Sequence, residues 1–122
     1  MYPLFKDERG SFQELAHSND VIFGQLSLLT IEPQSIRGGH YHTRKGEWFC
    51  CIHGECEMVL RNATDGSLRT VSLNDATKDF VKVDVNEIHS IKNLSELEVC
   101  EVLIIASEVF NANDTDTFEV GK

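Results

Sequence analysis

The chain has 122 residues and a formal net charge of -9, room for one compact domain and not for a second catalytic one. Its 20 Asp and Glu against 11 Lys and Arg exclude nucleic acid and an anionic membrane surface as the main partner. No apolar run approaches the roughly 18 residues of a membrane span, and the start Met1-Tyr2-Pro3-Leu4-Phe5-Lys6 has no basic region followed by an apolar stretch. The expectation is a soluble cytoplasmic domain without a secretory signal.

In chain order, residues 11–17 have room for a helical turn. Residues 21–31 are rich in β-branched and aromatic side chains and predict a strand. Residues 47–53 and 55–61 flank a lone Gly54, which reads as a tight turn between paired strands. The run Asn62-Ala63-Thr64-Asp65-Gly66 is a second hairpin signal, with Asp-Gly supplying the positive-φ turn. Strand patterns follow at 68–73, 80–85, 88–93 and 98–106, and the tail from Glu108 onward again has room for a helical turn. Short strands at this spacing predict one all-β domain, a sandwich or barrel, with no repeat and no linker.

The four cysteines do not predict a disulfide framework. Cys50 and Cys51 are adjacent, so on a strand they point to opposite faces. Cys56 and Cys100 sit in apolar surroundings, and no CxxC pair is present. They read as structural thiols in a reducing compartment.

The informative stretch is Arg37-Gly38-Gly39-His40-Tyr41-His42-Thr43-Arg44-Lys45-Gly46-Glu47. His40 and His42, two apart, leave the same face of a strand, and Tyr41 between them faces away to pack. After a turn eased by Gly46, Glu47 can return a carboxylate to the histidine face. His89 lies on a later strand that a barrel can bring alongside. Three imidazoles and a carboxylate suit zinc, iron, manganese, nickel or copper. Arg37, a bidentate fork just before the histidines, is the candidate grip for a substrate phosphate, with Lys45 and Arg44 as helpers. His53 and His17 read as exposed polar groups. Trp48 and Phe49 take opposite faces, one in the barrel and one on a dimer surface.

The run His40-x-His42, Glu47 and Gly54 resembles the first cupin motif, and His89 with Asn93 resembles the end of the second. Gln34 stands where that pattern has a glycine, and Asp84-Val85-Asn86 stands for its Pro-x-Gly, where Asn86 can take over the positive φ. The cupin resemblance covers residues 20–107. It implies a single-domain cupin over 1–122, a double-stranded β-helix or jelly-roll barrel, with motifs at 37–54 and 84–93.

A closer resemblance spans nearly the whole chain. Asp7-Glu8-Arg9-Gly10-Ser11-Phe12-Gln13-Glu14, Gly24-Gln25-Leu26-Ser27, residues 37–42, Lys45-Gly46-Glu47-Trp48-Phe49 and the tail 110–118 are similar to the C-terminal cupin domain of capsular-polysaccharide sugar-nucleotide reductases. In that family a reductase domain is joined to a zinc-containing cupin that epimerises C3 of a UDP-4-keto-6-deoxy-hexose derivative. Arg37-Gly38-Gly39-His40-Tyr41 is also similar to the Arg-Gly-x-His-Tyr signature of deoxysugar 3,5-epimerases, although no position matches their acid tyrosine. Related 3,4-ketoisomerases use an Arg-Gly-x-His-x-His segment without metal.

The resemblance implies an isomerase acting on a nucleotide-linked 4-keto-6-deoxy sugar, free of its reductase domain. The reductase would be a separate protein, and the cupin a homodimer through barrel edge strands. With a metal, zinc first, His40, His42, Glu47 and His89 are ligands and the base is unassigned; without one, His40 or His42 is the base and Glu47 orients it. The two schemes exclude each other for His40. The reaction implied first is C3 epimerisation through an enolate; a 3,4-ketoisomerase on the same substrate class, a cupin dioxygenase using the same four ligands with iron, and a non-catalytic sugar-binding cupin are the alternatives.

Overall fold

A computed structural model describes residues 2–113 and 116–120. Strands β1 (Leu4–Asp7) and β2 (Gly10–Gln13) form a hairpin of their own. Next come β3 (Gln25–Ile31), β4 (Ile36–Tyr41), β5 (Glu47–His53), β6 (Glu55–Asn62) and β7 (Leu68–Asn74). The series ends with β8 (Val81–Val83), β9 (Glu87–Asn93), β10 (Cys100–Ala106) and β11 (Phe118–Glu119). No helix occurs among the described residues, so the expected turns of helix at 11–17 and after Glu108 are replaced by β2 and β11.

Two antiparallel sheets face each other, one in the order β3-β10-β5-β8 and the other β11-β4-β9-β6-β7. The period-2 alternation of the sequence puts them together. In β6, Cys56, Met58 and Leu60 point inward and are completely buried, while Val59 and Arg61 face out. They meet Ile31, Phe49, Leu73, Val83, Ile91 and Val102 from the surrounding strands. Each such side chain taken fully out of water contributes about 1.5–3 kcal/mol. Asn93 ties the sheets at one end: its Nδ2 donates to the carbonyls of Ile31 (2.9 Å) and Glu98 (2.7 Å), so its role is structural.

The Asn62–Gly66 hairpin forms as expected, joining β6 to β7, with Gly66 at φ 75°. Gly54 is different. It is a turn at φ 94°, but β5 and β6 do not pair; β5 lies between β10 and β8 and β6 between β9 and β7. The chain changes sheets at this corner, which a glycine between two strand patterns does not distinguish from a hairpin. The cysteine expectation is also corrected, because Cys56 and Cys100 are joined as a disulfide. Strands β6 and β10 face each other across the core, a proximity that a separation of 44 residues conceals. Cys50 and Cys51 are free and buried, and burial pushes the Cys51 thiol up to about 11.

Candidate active site

The histidine-bearing strand is not regular. Arg37 pairs with Ile91 and Gly38 with Ser90, yet His40 pairs with His89, so Gly39 is an extra residue in β4. Such a bulge places two residues against one and shifts the alternation of the strand. On a regular strand Arg37 and His40, three apart, would leave opposite faces. Here both line the same cavity, whose volume is about 190 Å³ and whose walls include Leu29, Phe49, Ile91 and Ile104. Gly38 (φ 108°) and Gly39 (φ 85°) adopt backbone that side chains resist, which is why two glycines precede the histidines.

Beyond the bulge, His40 and His42 point inward and Tyr41 outward, where it stacks on Phe118 at 5.4 Å. His89 arrives from β9 with its ring 4.6 Å from that of His40 and 5.5 Å from that of His42. The ligand atoms of His40, His42 and His89 all lie within 4.8 Å of one another. Glu47 opens β5 and brings Oε1 to 2.7 Å from Nε2 of His42 and 3.5 Å from Nε2 of His89. The four predicted residues therefore meet.

His42 Nδ1 faces the carbonyl of Asp116 and His89 Nδ1 that of Glu87 (3.2 Å), so both rings turn Nε2 toward Glu47. A carbonyl on one ring nitrogen fixes the tautomer and leaves the other nitrogen with its lone pair. Nε2 of His42 and Oε1 of Glu47 are close without hydrogen-bond geometry, and both are buried with no hydrogen-bond partner. Two buried, unpartnered polar atoms held together in this way are what a cation-binding site provides. Burial drives the His89 imidazole down to about 4 and lowers that of His40 as well, so both are neutral donors near pH 7. For Glu47, burial raises the carboxyl but His42, His89 and Lys45 outweigh it, and the group is held below its usual value. Three imidazoles and a carboxylate held below its usual value fit a divalent metal ion.

This electrostatic arrangement predicts how the metal-free protein responds to acid. A histidine whose folded pKa lies below its usual 6.5 binds more protons when unfolded. Stability is therefore complete above about pH 6.5 and lost as pH falls toward 4, by roughly 3 kcal/mol for His89 if fully realised. Denaturant titrations of EDTA-treated protein at pH 7, 5.5 and 4 should show this decline, and His89→Gln should flatten it.

Arg37 is exposed at the mouth of the cavity. Lys45 is not among the residues lining it: the side chain is buried, with Nζ 5.9 Å from the centre of the Phe110 ring. Arg44 pairs with Glu108 at 2.5 Å. His17 and His53 are half-exposed and apart from the cluster, beside Glu14 and Glu98. Phe49 packs in the core, whereas Trp48 is buried on the other face of β5 under Lys82.

Residues 5–118 match the family described as "Polysaccharide biosynthesis C-terminal domain". The chain belongs to that family. A relative of this polysaccharide biosynthesis C-terminal domain is UDP-2-acetamido-2,6-beta-L-arabino-hexul-4-ose reductase of Pseudomonas aeruginosa, 33% identical over 116 residues, which are 95% of this chain and 30% of the reductase. Among solved structures, the capsular polysaccharide assembling protein CapF from Staphylococcus aureus is 27% identical with a TM-score of 0.76, over 98% of this chain and 33% of CapF. The chain thus spans about a third of the length of these two relatives. The 3,5-epimerase RmlC from Legionella pneumophila, in complex with dTDP-4-keto-L-rhamnose, shares the fold at a TM-score of 0.80 and 19% identity, over 98% of this chain and 69% of RmlC. The fold is accordingly a cupin barrel.

Two positions where this family member departs from the cupin pattern keep the backbone the pattern needs. Gln34 has φ 60° and Asn86 φ 63°. Asn86 also donates its N–H to the carbonyl of His42 at 2.6 Å and accepts from Ala63 N–H at 2.7 Å. Asn86→Gly should leave stability within about 0.5 kcal/mol, whereas Asn86→Ala should cost about 1–2 kcal/mol through the left-handed backbone alone. Thermal melts of the two variants check this. Asp116 was not anticipated as part of the site; only the tail's general resemblance pointed to it.

Proposed function

We propose that this chain is an isomerase for a nucleotide-linked 4-keto-6-deoxy sugar, epimerising C3 through an enolate during surface-polysaccharide synthesis. The observation that carries this reading is the floor of the cavity, where neutral His40 and His89 stand beside the unpartnered Nε2 of His42 and Oε1 of Glu47. Family membership and relatives whose names concern keto sugars support it.

The C3 proton of a 4-keto sugar is acidic because the adjacent carbonyl accepts the charge. Inversion needs proton removal on one face, stabilisation of the oxyanion and proton return on the other. His40, His42, Glu47 and His89 would hold a divalent metal, zinc first, which supplies a Lewis acid for the C4 oxygen. Arg37 at the mouth would grip the diphosphate with its planar fork, and Lys45 would add positive charge from behind the histidines. Leu29, Phe49 and Ile104 exclude water around the sugar. A cavity of about 190 Å³ is smaller than the 300–1,000 Å³ that encloses a whole drug-sized ligand, so the sugar enters and the nucleotide stays outside. If no metal is held, His40 is the base, since it lines the cavity while His42 is only 4% exposed.

A homodimer through β3 fits this reading. That strand ends its sheet, and Leu26 and Leu28 are more than half exposed on it.

Metal analysis of the purified protein, paired with NMR of C3-proton exchange into D2O on a UDP- or dTDP-linked 4-keto-6-deoxy sugar, tests the function. About one zinc per chain with exchange is the expected result. Exchange without metal would leave His40 as base. Iron with oxygen uptake would make the protein a dioxygenase, and binding without exchange would make it a sugar-binding cupin.

A further inference from the structure

The tail meets the site at a residue that the chemistry above does not use. Asp116 is 4% exposed. Its Oδ1 accepts from Thr43 N–H (2.9 Å) and Thr43 Oγ1 (2.7 Å). Its Oδ2 accepts from the N–H groups of Arg44 and Lys45, both at 2.8 Å. Three successive backbone N–H groups and a hydroxyl converging on one carboxylate form a nest, a concave anion site built from the main chain. Burial alone would raise this carboxyl, but those bonds hold it far below the usual carboxylate range. With both oxygens occupied, the carboxylate is an anchor rather than a base.

The turn it anchors, residues 43–45, joins His42 to the segment that leads into Glu47. The same residue presents its main-chain carbonyl to Nδ1 of His42. A carbonyl oxygen only accepts, so Nδ1 must carry a proton, and Nε2 is the nitrogen turned toward Glu47.

We infer that Asp116 is the positioning residue of His42: its carboxylate holds the 43–45 turn, and its carbonyl, fixed by that anchor, sets the ring so that Nε2 faces Glu47. This rests on His42 being a working residue of the proposed site. The first readout is therefore taken on metal-free protein, where it does not depend on that function.

The test is long-range 1H–15N NMR of the histidines in EDTA-treated protein, followed by Co2+ titration. The unmodified protein should show His42 as the Nδ1–H tautomer. Asp116→Asn keeps the volume and one acceptor oxygen, but its NH2 cannot accept from Arg44 and Lys45 N–H. It should give a tautomer mixture at His42 and weaken Co2+ binding 10- to 100-fold, the usual effect of losing a group that orients a ligand. Thr43→Val, which removes one of the four bonds, should shift both readouts in the same direction by less, and it decides the matter if the Asp116 variant does not fold. Phe118→Ala loosens the same tail through the Tyr41 stack but keeps Asp116, so it should lower the melting temperature without moving the His42 tautomer. The inference is overturned if Asp116→Asn, or Thr43→Val when it stands alone, leaves His42 as the Nδ1–H form. It is equally overturned if Phe118→Ala shifts the tautomer as far as Asp116→Asn. A tautomer shift in a protein that binds no Co2+ would support Asp116 and remove the metal reading instead.

Discussion

Glu47→Gln is expected to raise the thermal stability of the metal-free protein while abolishing stoichiometric metal and slowing C3-proton exchange by more than about 100-fold. The opposite signs follow from one contact. In the native protein, Oε1 of Glu47 and Nε2 of His42 are buried 2.7 Å apart without hydrogen-bond geometry. The amide introduced by Glu47→Gln can donate to that nitrogen, satisfying a group whose isolation costs about 1–3 kcal/mol. It also removes a carboxylate that is three-quarters or more removed from solvent by side-chain exposure, at 13%. The same change takes away the only negative charge among the four proposed ligands. Loss of an outer group usually costs 10–100-fold in metal affinity, so loss of a ligand should exceed that. Differential scanning fluorimetry after EDTA, metal analysis and D2O exchange report the three effects separately. A stability loss in the metal-free variant would mean that Glu47 serves mainly as the ion-pair partner of a protonated His42.

Gly38→Ala should be the most damaging single methyl in the site, costing about 3–5 kcal/mol and about 10–20 °C of melting temperature. A Cβ at this position would lie 2.5 Å from the carbonyl oxygen of His89 and 3.0 Å from the Cα of Ser90, both backbone atoms of β9. The strand cannot yield without opening the β4–β9 ladder that brings His40 and His89 together. Its φ of 108° adds strain for any side chain. Gly39→Ala is the matched control. It has a comparable positive φ of 85° but nothing within 4 Å of the added carbon, so about 1–2 kcal/mol is expected. Equal melting temperatures for the two variants would show that close approach is not what Gly38 provides.

The site was largely legible in the sequence because its elements obey parity. His40 and His42 share a face by their spacing, Glu47 returns after a short turn, and His89 lies in a later strand pattern that the barrel brings alongside. The positive φ of Asn86 was equally readable from the residue types that tolerate it. What escaped were relations between distant segments. Asp116 reaches His42 across 74 residues, and Cys56 reaches Cys100 across 44, distances at which alternation carries no signal. Gly54 was read as a hairpin because a corner between sheets and a turn within one use the same glycine. The tail lacked a strand pattern since only Phe118 and Glu119 pair there, with Tyr41 and His40. Arg37 lines the cavity with His40 only because of the bulge, which paired glycines permit without announcing.

That bulge divides β4 into two independently addressable halves. Everything after Gly39 is fixed by the cluster it must complete, while the preceding residues are tied to the cluster only through one supernumerary glycine. Deleting Gly39 would restore a regular ladder with Arg37 two residues before His40, so Arg37 would keep its pairing with Ile91 and its place on the histidine face. A single codon lost at this point therefore removes the bulge without exchanging the rim that Arg37 supplies or touching the chemistry beneath.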